Sequence, residues 1–197
     1  MITIKLHANK QNIVGIYSPQ PRSGKSTLAN TIITNNFERH SFATTGKGML
    51  NLLYTQLGYT PTEAYEMLNG NAKTQAVDGL YCDSRHLMQT LMTDWARQTV
   101  DPGIWIRTME QRLKTVKNPN IVIDDLRFPN EYHWIKSKGG FVICVLRPGI
   151  PGYEHASEGR LNHYPFDTII NNTGALQEYK TKCNDVIDLI NNHFGIT

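Results

Sequence analysis

A chain of 197 residues, 40% hydrophobic and 19% charged, carries enough apolar material for one α/β core and too much for a disordered segment. Its net charge of +3 and pI near 8.7 admit an anionic ligand and exclude the dense basic surface of a protein that coats nucleic acid. Cys82, Cys144 and Cys183, without CxxC spacing, exclude a disulfide scaffold and read as reduced thiols.

The first residues, Met1-Ile-Thr-Ile-Lys-Leu-His7, lack the charged-then-apolar layout of a secretion signal, and no apolar run is long enough to span a bilayer. A soluble cytoplasmic protein is expected. Residues 13–18 form a β-branched run ended by Pro19 and Pro21, and 25–35 then place Leu28, Ile32 and Ile33 on one helical face. Thr60-Pro61-Thr62-Glu63 has the layout of a capping box with proline at the first helical position, predicting a helix over 61–69 stopped by Gly70. A longer helix is predicted to start after Asp83 or Ser84. Leu87, Leu91 and Trp95, at steps of four, form its apolar face, with Arg85, Gln89 and Arg97 towards the flanks. Residues 121–125 read as a buried strand ending in Asp124 and Asp125, followed by a helix to Lys138 and a strand over 141–146. The stretch 147–166, with three prolines and three glycines, reads as a mobile lid. A strand over 168–171 and a helix over 175–194 finish the chain. The alternation predicts an α/β fold in one domain, a parallel sheet covered on both faces by helices.

Arg22-Ser23-Gly24-Lys25-Ser26-Thr27 stands between the first strand and the first helix. A glycine-containing loop there turns backbone N–H groups and the positive helix end towards one anion, and Lys25 adds a charge that follows the phosphate. In the motif G-x-x-x-x-G-K-[ST] the lysine reaches the β and γ phosphates of a nucleoside triphosphate and the hydroxyl holds Mg²⁺, roles that fall on Lys25 and Ser26. Pro19 occupies the place of the first glycine, so the entry turn must differ. Asp124 and Asp125 offer a second metal contact from a neighbouring strand end, although either can instead cap the following helix.

The guanine-reading motif of GTPase switches is absent, since Thr181-Lys-Cys-Asn184 ends in Asn, and no water-activating glutamate follows Asp125. Phosphoryl transfer to an acceptor fits better than hydrolysis. Such transfer calls for arginines from several segments, and Arg22, Arg85, Arg97, Arg127, Arg147 and Arg160 are the candidates.

Further stretches occur in order: Phe42-Ala-Thr-Thr-Gly-Lys47, Arg85-His-Leu-Met-Gln-Thr-Leu-Met-Thr-Asp94, Trp105, Asp125-Leu-Arg127 with Glu131, Arg147-Pro-Gly149, His155-Ala-Ser-Glu158 and Asp167-Thr-Ile-Ile-Asn-Asn172. Together with the phosphate loop they make the chain resemble the bacteriophage deoxynucleoside monophosphate kinases along nearly its whole length. The resemblance implies a P-loop kinase fold that transfers the γ-phosphoryl of ATP, with Mg²⁺, to a deoxynucleoside 5′-monophosphate. It implies a catalytic set of Lys25, Arg22, Arg127 and Asp125. Donor contacts fall on 23–27 and Arg147, and metal contacts on Ser26 with Asp124 or Asp125. The acceptor region lies at 44–110, where Lys47 and Arg85 would take the phosphate, and Gln89, Thr93 and Asp94 the base and sugar edges. Trp105 is either a stacking face for the base or a core residue. His155, Ser157 and Glu158 would join Arg147 and Arg160 in the lid.

The chain departs from the family at Ser26, where Asp is frequent, at Met92, where Gly is usual, and at Pro19. Expected partners are the nucleotide substrate and neither membrane nor stably bound nucleic acid. A homodimer is compatible with the sequence, which leaves oligomeric state and base preference open. If the source is viral, the compartment is the host cytoplasm. Two other readings remain: a kinase of another small phosphorylated acceptor such as phosphomevalonate, and a catalytically weak ATP-binding module contacting DNA or a replication protein.

Overall fold

The structure, a computed structural model, describes residues 11–150 and 159–196. In chain order the elements are β1 Asn12–Tyr17, α1 Lys25–Ile33, β2 Glu38–His40, α2 Thr44–Gln56, α3 Pro61–Asn69, a 3-10 turn Asn71–Thr74, α4 Ser84–Gln89, a π-helix Thr90–Val100 that continues α4, α5 Ile104–Leu113, β3 Asn120–Ile123, α6 Pro129–Ser137, β4 Phe141–Leu146, β5 Thr168–Asn171 and α7 Leu176–Phe194. The chain divides into two compact units, Met1–His40 with Thr115–Thr197, and Ser41–Lys114.

The first unit is a five-stranded sheet in the order β2-β3-β1-β4-β5, parallel at every pairing. Beyond Asn12 and Asn120 at the starts of β1 and β3, its inner strands are apolar because helices cover both faces. Alternate side chains of a strand point to opposite faces. Val14 and Ile16 of β1 therefore join Val122, Ile143 and Val145 in a core closed by Leu28 and Ile32 of α1 and by Tyr179, Val186 and Ile190 of α7. On the other face, Gly15 lies under Ile135 of α6. In a parallel sheet all carboxyl ends share one edge, and β1, followed in sequence by the phosphate loop, has β3 on one side and β4 on the other. This is where open α/β sheets bind ligands.

The second unit is helical. α3 begins as its sequence predicts: Thr60 Oγ1 accepts from the Glu63 N–H at 3.3 Å, and the Glu63 carboxylate accepts from the Thr60 N–H at 2.8 Å. The Thr60 hydroxyl, which also donates to the Glu63 carboxylate at 2.7 Å, and the Thr60 N–H together hold the Glu63 carboxyl below the usual carboxylate range. A buried polar chain runs from the Tyr54 hydroxyl to Ser84 Oγ at 2.6 Å and on to the Met67 carbonyl at 2.8 Å. The predicted helical face needs correction. Beyond Thr90 the chain adopts π geometry, seen where the Asp101 N–H donates to the Ala96 carbonyl five residues back. The wider turn rotates the later side chains, so Arg97 is only 9% exposed while Trp95, expected inward, is 43% exposed. Among the described residues no helix is long and apolar enough to cross a membrane.

Candidate active site

The phosphate loop leaves β1 through a turn that accommodates proline. Ser18 Oγ accepts from the Gln20 N–H at 3.1 Å and lies 3.1 Å from the Gln20 carbonyl, so a side chain closes the turn where a glycine was expected. The Gln20 amide ties this entry to the segment after β4, accepting from the Arg147 N–H at 2.8 Å and donating to the Ile150 carbonyl at 2.9 Å. Arg22 and Gly24 take left-handed conformations, with φ of 51° and 105°. A Cβ on Gly24 would lie 2.7 Å from both Asn172 Nδ2 and Tyr179 Cε1, so glycine is required by space as well as by φ.

Three side chains reach this loop from other elements: Arg147 Nη1 donates to the Arg22 carbonyl at 2.8 Å, Asn172 Nδ2 to the Ser23 carbonyl at 2.8 Å, and the Tyr179 hydroxyl to the Gly24 carbonyl at 3.0 Å. Ser23 is 1% exposed and its hydroxyl has no partner among the described residues. Lys25, Ser26 and Thr27 open α1. Burial pushes the Cys144 thiol of β4 up to about 11, and the positive charge of Lys25 pulls against that rise.

β3 ends at Ile123, so Asp124 and Asp125 follow the strand rather than finish it. Arg39 of β2 forms an ion pair with Asp124. The start of α6 is held by Glu131, 1% exposed, whose Oε2 accepts from the N–H groups of Arg127 at 2.9 Å and Phe128 at 3.0 Å. The Arg127 side chain is exposed.

The stretch expected to be a mobile lid is anchored at its far end. Leu161 is fully buried, the Tyr17 hydroxyl donates to Asn162 Oδ1 at 2.7 Å, and Phe166 stacks on Tyr17 at 5.5 Å. The Tyr132 hydroxyl donates to the Pro165 carbonyl, and the Arg160 guanidinium lies 5.1 Å from the Phe128 ring centre. An apolar residue, an aromatic stack and a cation–π contact fix this end, which glycine and proline content alone does not reveal. His155, Ser157 and Glu158 lie outside the described residues.

The second unit, 41–114, encloses the expected acceptor region. Lys47 of α2 donates to Asn69 Oδ1 at 2.7 Å. Arg85 and Gln89 lie on α4, and on the π-helix Thr93 is buried while Asp94 is exposed. Trp105 is 2% exposed and donates its indole N–H to the Met92 carbonyl at 2.9 Å. Of its two expected roles the core one is realised. Met92 lies over bare backbone, since a Cβ on Gly46 would be 2.9 Å from Met92 Cε. The bulk noted at position 92 is accommodated there.

Sequence reasoning missed Arg39, Asn172 and Tyr179 as neighbours of the site, and Arg112, which donates to Thr45 Oγ1 at 2.8 Å and to the Ser41 carbonyl at 2.7 Å. Only Asn172 lay in a stretch already singled out. Arg22, Gly24, Ser26, Thr27, Arg147 and Asn172, with Gly174, Leu176 and Tyr179, line a cavity of about 330 Å³ in the first unit.

The model of the deoxynucleotide monophosphate kinase family matches residues 81–183. A protein of Acanthamoeba polyphaga mimivirus, assigned as a deoxynucleotide monophosphate kinase, is 30% identical over 120 residues, 54% of this chain and 62% of the viral protein. The chain thus spans somewhat less than two thirds of that relative. Among solved structures, dephospho-CoA kinase from Campylobacter jejuni covers 95% of the chain at 16% identity with a TM-score of 0.53, all of that protein being matched. TT1252 from Thermus thermophilus covers 90%, with 97% of its own length matched, also at 16% identity, with a TM-score of 0.50. At such identities the structural likenesses speak for the fold alone.

Proposed function

Because the chain belongs to the deoxynucleotide monophosphate kinase family, we propose that it transfers the γ-phosphoryl of ATP to a deoxynucleoside 5′-monophosphate, giving the diphosphate and ADP. The observation that carries this reading is the loop 22–25, whose two left-handed residues and bound-back carbonyls turn its amides towards one anion at the start of α1, where Lys25 stands. The cavity beside it, lined by Arg22, Arg147 and Asn172, offers room for the nucleoside of the donor.

The reaction needs charge placed where it develops and little covalent help from the protein. The Lys25 ammonium accompanies the migrating phosphoryl, and Arg127, its backbone fixed by Glu131, offsets charge on the transferring group. Lys47 and Arg85 take the acceptor phosphate, while Gln89, Thr93 and Asp94 supply donors and acceptors for base and sugar. Trp105 supports this wall from the core.

A hydroxyl and a carboxylate are a sparse donor set, which suits Mg²⁺ because that ion keeps several waters and completes its shell with substrate phosphates. We assign the metal contact to Ser26 together with one of the two carboxylates that follow β3, Asp124, which pairs with Arg39, or Asp125. When bound there, the ion neutralises charge on the phosphate oxygens.

The test is ADP formation with ATP, Mg²⁺ and each deoxynucleoside monophosphate in turn. At least one should stimulate turnover, and Lys25→Ala should abolish that turnover while the fold persists. Stimulation by phosphomevalonate and by none of the nucleotides would overturn the acceptor assignment. Salt-sensitive DNA binding without transfer would overturn the enzymatic one.

A further inference from the structure

In a trans peptide the carbonyl of one residue and the N–H of the next point in opposite directions. Whatever holds the carbonyls of 22, 23 and 24 on one side therefore turns the N–H groups of Ser23, Gly24 and Lys25 to the other. Each of those carbonyls accepts from a different side chain, from Arg147 after β4, Asn172 after β5 and Tyr179 in α7, at 2.8, 2.8 and 3.0 Å, and the Gly24 carbonyl also accepts the first helical bond of α1 from the Leu28 N–H at 3.1 Å. None of the three belongs to the sequence motif of a phosphate loop.

The three holders are themselves fixed. The Arg147 N–H donates to Gln20 Oε1 at 2.8 Å, the Asn172 N–H donates to the Leu146 carbonyl at 2.7 Å, and Tyr179 is 1% exposed. Burial raises the Tyr179 phenol above its ordinary value and keeps the proton that the Gly24 carbonyl accepts. The contact is close enough that a methyl group at residue 24 would displace both Asn172 and Tyr179.

We propose that Asn172 and Tyr179 are positioning residues of the phosphate loop, holding the Ser23 and Gly24 carbonyls back so that the amides of Gly24 and Lys25 face a bound polyphosphate. The loop is then preformed before any ligand arrives, and its affinity for phosphate depends on two side chains about 150 residues downstream in the chain, 149 for the Asn172 bond and 155 for the Tyr179 bond. The proposal rests on reading 22–27 as the phosphate loop and is independent of the acceptor.

Asn172→Asp exchanges a donor for an acceptor facing the Ser23 carbonyl, and Tyr179→Phe removes one hydroxyl. Binding of inorganic tripolyphosphate and of ATP, each with Mg²⁺, is measured by calorimetry on the full chain, beside thermal melts and steady-state kinetics. Tripolyphosphate lacks a base, so weakened binding cannot arise from lost nucleoside contacts. Asn172→Asp is expected to weaken both ligands at least tenfold and Tyr179→Phe several-fold, with KM for ATP rising and KM for the acceptor unchanged. Lower melting temperatures with unaltered affinity and KM for ATP would overturn the proposal, leaving the contacts merely structural. Wild-type protein that binds neither ligand would overturn it together with the phosphate-loop reading. Weakened binding in the variants, beside a wild type that phosphorylates no deoxynucleotide, would support the positioning role and reject only the acceptor.

Discussion

Replacing Glu131 by alanine strips two backbone donors of their acceptor at the start of α6. The carboxylate is 1% exposed and takes the N–H groups of Arg127 and Phe128 at 2.9 and 3.0 Å. A hydrogen bond to a charged group contributes about 1.5–3 kcal/mol, and a carboxylate in the first helical turn adds about 0.3–1 kcal/mol through the helix dipole. One oxygen serves both donors, so the terms overlap, and Glu131→Ala is expected to cost about 3–4 kcal/mol. Glu131→Gln keeps an acceptor and loses the charge, which should cost about half as much. Urea unfolding gives the totals, and hydrogen exchange at the Arg127 and Phe128 amides locates them, since both amides should lose protection in the alanine variant. Turnover should also fall, because the backbone that carries Arg127 is no longer fixed. Stability within about 0.5 kcal/mol of wild type, with both amides still protected, would refute this account of the helix start.

Two further perturbations separate backbone from packing effects. Gly24→Ala forces a side chain into a left-handed conformation and into Asn172 and Tyr179. At about 1–3 kcal/mol for the backbone alone, it should weaken ATP at least tenfold by calorimetry, whereas Gly46→Ala, which meets Met92 Cε at 2.9 Å and Cγ at 3.1 Å and the Trp105 ring at 3.4 Å, should leave ATP affinity unchanged. The Cys144 thiol is held up to about 11 from its ordinary 9.0, so burial stabilises the fold fully below pH 9 and that contribution is lost as pH rises towards 11. Urea midpoints measured from pH 8 to 11 should fall less steeply for Cys144→Ala than for wild type, and at pH 8 a thiol reagent should modify half-buried Cys82 before the buried Cys144 and Cys183.

The elements that the sequence made legible are those whose signals are local. The capping box of α3, the apolar run of β4 and the short strand β5 appear with the expected bounds, because neighbouring residues decide them. α2 gave no such signal: Leu50 and Tyr54 face inward while Met49, Leu52 and Leu53 are exposed, so apolar residues surround the helix and no face stands out. β2, three residues of Glu-Arg-His, carries no apolar alternation and is defined by pairing with β3. At the site, Lys25 was legible from the loop pattern, whereas the Arg39 partner of Asp124 and the Asn172 and Tyr179 contacts depend on strand order. That order places the ends of β3, β4 and β5 along one edge, a long-range property invisible to local pattern.

The π-helix makes the second unit unusually sensitive to chain length. An α-helix advances about 100° per residue, so removing one residue between Thr90 and Arg97 would allow the segment to relax to ordinary pitch while changing the angular position of all that follows. Side chains beyond the deletion, Arg97 among them, would then change their exposure, and the Met92 carbonyl that receives the Trp105 indole lies inside the same segment. Insertions and deletions are usually read as affecting loops. Here a helix interior is sensitive to one, and relatives that differ in length across 90–100 should differ in how the residues that match Trp95 and Arg97 are exposed.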